Sequence, residues 1–68
     1  MSREDAWDIA LRSRERLVNN DNKDFREQIA DTAVNSYYLD VWMAVFNNDP
    51  DMLNRLSQLQ QESLYVYK

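Results

Sequence analysis

The residues with chemical potential in this chain are carboxylates, serines and aromatic side chains. Asp49 and Asp51 flank Pro50, and Asp21 and Asp24 flank Lys23. Paired carboxylates can hold a hard cation or work as general acid and base. Neither pair has the Asp-x-Asp-x-Asp-Gly spacing of a calcium loop. Both stand where a helix N-terminus favours negative charge, so helix capping is the expected role. Ser2, Ser13, Ser36, Ser57 and Ser63 have no His to activate them, because the chain contains none. Lys23 and Lys68 read as exposed. His is also the commonest metal ligand and the commonest general base. With Cys likewise absent, disulfides and thiolate metal sites are excluded. No catalytic, cofactor-binding or metal-binding residues are expected, and we expect no enzyme.

Glycine is also absent. At an average usage of about 7%, a chain of this length would hold roughly five. Without Gly there is no phosphate-cradling loop and no dinucleotide fingerprint. Tight Asn-Gly or Asp-Gly hairpins are missing too, so helices joined by Asn-rich turns are favoured over strands.

The net charge of −4 is uneven along the chain. Residues 1–26 are balanced, whereas residues 27–68 set six acids against Arg55 and Lys68. Tyr37, Tyr38, Tyr65 and Tyr67, with Trp7 and Trp42, could stack on bases, but such sites need a basic groove. No nucleic-acid partner is expected; packing in a core or an interface accounts better for the aromatic residues. The longest apolar run, Val41–Phe46, falls far short of the ~20 residues of a membrane span. The first residues carry no apolar signal core. These features predict a soluble, cytoplasmic chain.

The elements that must position these residues read as one all-α domain spanning 1–68. Helix 1 is expected over about 3–18, with Ser2 as N-cap and Glu4 and Asp5 in its first turn. Asn19-Asn20-Asp21-Asn22 breaks it, Asn being the best non-Gly residue for the left-handed conformation that ends helices. Helix 2 is expected as one long element over about 23–46, ended in the same way by Asn47-Asn48. Helix 3 is expected over about 50–65, with Asp49 as N-cap and Pro50 at the first helical position. Residues 64–68 also suit an extended segment.

The apolar period supports this reading. Phe25, Ile29, Thr32, Ser36, Leu39, Met43 and Phe46 recur at spacings of four and three. So do Met52, Leu56, Leu59, Ser63 and Val66, and so do Ala6, Ala10, Ser13 and Leu17. This alternation belongs to helices packed at shallow angles. Short connections favour antiparallel neighbours. The expected architecture is an up-down-up three-helix bundle with a long central helix, or a two-helix core with helix 1 docked across it.

One feature points towards function. Val34, Tyr38, Val41 and Val45, with Trp42 beside them, form a second stripe on the back of helix 2. A helix that is apolar all round is buried on all sides or sits in a membrane. Helices 1 and 3 could embrace this half of helix 2. An uncovered apolar face on a soluble chain marks an interaction site, and Trp and Tyr are enriched at binding hot spots. Val34, Tyr38, Val41, Trp42 and Val45 are therefore the expected interaction residues. Arg14 and Asp40 interrupt the apolar arcs of their helices, either as an ion pair orienting helix 1 on helix 2 or as solvent-facing groups. The expected function is a small acidic protein-interaction module forming a homodimer through helix 2. The alternative is a regulatory inhibitor or adaptor docking onto a larger host protein, as viruses and mobile elements often encode. None of these helix signals is specific to a family.

Overall fold

A computed structural model describes residues 1–63, Ser63 through its backbone only. The described residues are helical: α1 Arg3–Asn19, α2 Lys23–Ser36, α3 Leu39–Val45 and α4 Pro50–Ser63. Helix α1 begins as expected, with the Ser2 hydroxyl accepting the Asp5 N–H at 3.1 Å. Asn22, and not Asp21, caps α2, its side-chain oxygen accepting from the Phe25 N–H at 2.8 Å. Asp49 caps α4 by accepting from the Met52 N–H at 3.1 Å. The possible extended segment at residues 64–68 lies outside the described residues.

The long central helix expected over 23–46 is two helices, which corrects the three-helix expectation to four helices among the described residues. The break falls at Tyr37, which takes the left-handed conformation at φ 64°, ψ 13°. Local competition explains its position. The Ser36 hydroxyl donates to the Ala33 carbonyl at 2.6 Å and accepts from the Tyr38 N–H at 3.1 Å, offering the backbone an alternative to helical bonding. A left-handed non-Gly residue costs about 1–2 kcal/mol. The burial of Leu39, Val41, Trp42 and Val45 on α3 offsets that cost. The role expected of asparagine as a left-handed terminator is not met either. Asn20 ends α1 at φ −148°, and Tyr37 alone has positive φ among the described residues. Asparagine works here through its side chain: Asn22 also donates to the Asn20 side-chain oxygen at 3.1 Å.

The helices form a ring in which α1 meets α2 and α3, α4 meets α2 and α3, and α1 and α4 lie across from each other. Helix α3 meets all three others. Ala6 and Ala10 on α1 and Ala30 and Ala33 on α2 are completely buried. Trp42, Phe46, Met52 and Leu56 fill the centre. The predicted core stripes are met at Ala6, Ala10, Leu17, Phe25, Ile29, Ser36, Leu39, Phe46, Met52 and Leu56, all buried.

Candidate interaction surface

The structure places the five expected interaction residues largely inside the fold. Val41, Trp42 and Val45 are 1%, 0% and 3% exposed, and Val34 and Tyr38 are half-buried against the core. The expectation of an open second stripe is therefore corrected at its three central residues. The physical reason is the break at Tyr37. It makes α3 a separate element that meets all three other helices, which covers Val41, Trp42 and Val45 and leaves Met43 half-buried and Ala44 exposed. A dimer seam through Val41, Trp42 and Val45 would require the ring of helices to open.

The total surface agrees. The chain exposes 4778 Å², against about 4,500 Å² for a compact monomer of its mass. No large excess of surface waits for a partner. What remains open must be small and local.

That local patch lies on α1, which, like α4, meets only two others. Among the large apolar side chains, Trp7 is 39% exposed, Leu11 39% and Val18 80%. At 3.6 residues per turn, Trp7, Leu11, Arg14 and Val18 fall within an arc of about 60°. The buried side chains Ala6, Ala10 and Leu17 lie roughly a quarter-turn away around the helix. Glu4, Asp8 and Glu15 run along one flank of the outer stripe and Arg3 lies on the other. The signal for this stripe was present in the sequence as the spacing 7, 11, 14, 18. It belongs to the same class of pattern as the one on helix 2, and only the packing distinguishes them.

Arg14 and Asp40 do not pair with each other. Asp40 pairs with Arg3, whose guanidinium also stands 6.0 Å from the centre of the Tyr38 ring. The expected ion pair between the first helix and the α3 segment therefore exists with a different arginine. Arg14 donates to the Val45 carbonyl at 3.3 Å. It also lines a groove of about 400 Å³, whose apolar wall is Leu17, Val18, Val45 and Phe46.

The polar end of that groove is a two-loop clasp. The Arg26 guanidinium bonds Asp21 twice, at 2.7 and 3.0 Å, and reaches Asp49 at 3.2 Å. It ties the α1–α2 connection to the α3–α4 connection. Hydrogen bonds from Arg26 hold the Asp21 carboxyl below its ordinary range. Burial pushes Asp49 up, but hydrogen bonds from Arg26 and the Met52 N–H outweigh it, so Asp49 is lowered as well. The same bonds raise Arg26, led by the one from Asp21. Asp49 thus caps a helix, as expected, and anchors the clasp. Tyr37 is 70% exposed beside the α2–α3 break, and Tyr65 and Tyr67 lie outside the described residues.

Comparison with known families, curated proteins and solved structures finds no match. No described helix is long and apolar enough to cross a membrane.

Proposed function

We propose that the protein is a small, acidic, non-catalytic module that binds another protein chain through the outer face of α1. The observation that supports this is the line Trp7–Leu11–Arg14–Val18, part-exposed on a helix whose adjoining side, Ala6, Ala10 and Leu17, is locked into the core. Apolar anchors at helical spacing are the means by which a helix enters a partner's groove. Trp and Arg are the residue types that carry binding energy at such interfaces. Because α1 is already folded and capped, docking orders little new chain.

The magnitudes describe a modest interface. Full burial of a large apolar side chain stabilises by about 1.5–3 kcal/mol. Scaled by exposures of 39%, 39% and 80%, the three anchors supply on the order of 3–4 kcal/mol. Association costs at least about 4 kcal/mol, so the partner must contribute comparable contacts, and binding is reversible.

The test is a photo-crosslinking side chain at position 11, compared with the same group at position 31 on the exposed side of α2. Adducts from position 11 alone, in cells expressing the chain, are the expected result. Equal labelling from both positions, or none from either, overturns the reading. The mass of the adduct distinguishes a second copy from a larger target.

A further inference from the structure

We infer that two copies of this chain form a dimer by exchanging halves about Tyr37, with α2 and α3 of each copy joined into one helix over residues 23–45. The hinge is short and strained. Only Tyr37 and Tyr38 separate α2 from α3. Tyr37 holds the left-handed conformation at φ 64°, which a residue with a Cβ adopts at a cost. The sequence around it is compatible with an unbroken helix. Residues 22–49 contain no Gly and no Pro. The stripe Phe25, Ile29, Thr32, Ser36, Leu39, Met43 and Phe46 keeps its helical spacing straight through the break. Locally, the bend is held by the Ser36 hydroxyl, which donates to the Ala33 carbonyl at 2.6 Å and accepts from the Tyr38 N–H at 3.1 Å.

The contacts across the hinge are ones that a second copy supplies equally well. Helices α1 and α2 form one half, and α3 and α4 the other. The α1–α3 and α2–α4 packings cross between the halves. So do the Arg3–Asp40 pair, the Arg14 bond to the Val45 carbonyl, the Arg26–Asp49 pair and the Arg55–Glu27 pair. In the exchanged dimer all of these re-form between chains, while the α1–α2 and α3–α4 packings stay within one chain. The closed monomer and the exchanged dimer therefore differ chiefly at the hinge and in the entropy of association. Straightening relieves the left-handed Tyr37 in both copies and continues the helical hydrogen bonds through the break. A short hinge under strain is the condition that favours such exchange. A lone chain does not stay straight, because it would bare Val41, Trp42 and Val45, which are buried in the closed form. In the dimer the second copy's α1 covers them.

Sedimentation equilibrium from micromolar to millimolar tests the exchange, after refolding from denaturant at each concentration. The wild-type mass is expected to rise from 8.2 kDa towards twice that value. Gly carries no penalty in the left-handed region and weakens a helix interior, and each dimer holds two hinges. Tyr37→Gly should therefore lower the association constant at least about tenfold. Ser36→Ala removes the hydroxyl that holds the bend and should raise the constant by about tenfold. In dimers refolded from mixed isotope-labelled and unlabelled chains, filtered nuclear Overhauser spectra should show α1–α3 contacts between the two chains. A wild-type mass that stays monomeric throughout overturns the inference. So does a dimer whose α1–α3 contacts lie only within each chain, or one that Tyr37→Gly leaves unchanged. The exchange does not use the outer face of α1. A dimer abolished by Leu11→Asp and indifferent to Tyr37→Gly would thus support the α1 reading and refute the exchange.

Discussion

Trp42 is the largest fully buried side chain, and its indole N–H has no hydrogen-bond partner among the described residues. These two facts act in opposite directions and give a sharp expectation for two substitutions. Trp42→Ala removes the centre of the core, a change that costs about 3–5 kcal/mol. A chain of this size commonly holds only about 3–5 kcal/mol of stability in total, so the variant is expected to be largely unfolded in the absence of denaturant. Trp42→Phe is different. It leaves a void of about 40 Å³, which at ~24 cal/mol per Å³ costs about 1 kcal/mol, with a similar loss of transfer energy. It also removes a buried donor left without an acceptor, and relief of such a group is worth about 1–3 kcal/mol. The net change is expected to lie within about 1 kcal/mol of zero, which is unusual for a large-to-small change at the centre of a core. Urea unfolding followed by far-ultraviolet circular dichroism measures it, with an unchanged m-value confirming that the same surface is exposed on unfolding. A loss above about 2 kcal/mol for Trp42→Phe would show that the indole N–H makes a hydrogen bond in the folded protein, and the reasoning would fail.

Three further outcomes follow from the packing and the clasp. Val41→Asp buries a charge at a site 1% exposed and is expected to unfold the chain, whereas Leu11→Asp at a 39% exposed site keeps its helicity and its urea midpoint within about 0.5 kcal/mol; equal damage from both, read by circular dichroism, would refute the assignment of inner and outer stripes. Asp21 and Asp49 have folded-state values below their ordinary range, so their contribution to stability is fully present above about pH 4 and is lost as pH falls through the lowered values. Denaturation against pH should therefore be flat from about pH 5 upward and decline below pH 4, and Asp49→Asn, which retains a capping side chain, should make that decline shallower. Asn22→Ala removes the cap of α2 and is expected to cost about 1 kcal/mol, read as a lower urea midpoint with unchanged oligomeric state.

The four-and-three spacing located Ala6, Ala10, Leu17, Phe25, Ile29, Leu39, Phe46, Met52 and Leu56 of the core, because it depends only on which residues share one face of a helix; it missed Ala30 and Ala33 and set Val41, Trp42 and Val45 on an outer face. It did not locate the break at Tyr37, because the spacing runs through it undisturbed: Ser36 and Leu39 are three apart whether or not the helix continues. What decides the break is a local contest among backbone and hydroxyl groups at Ala33, Ser36 and Tyr38, settled by the burial of α3. Exposure was less legible for a related reason. The second stripes of helix 1 and of the expected helix 2 look alike as strings of residues. Whether such a stripe is covered depends on how many neighbours its helix acquires, and that number follows from the fold. With the helix broken at Tyr37, α3 meets three neighbours and its Trp42 is buried, while α1, like α4, meets two and keeps Trp7, Leu11 and Val18 part-exposed. The single left-handed tyrosine thus goes with the burial of one of the two apolar stripes and leaves the other part-exposed.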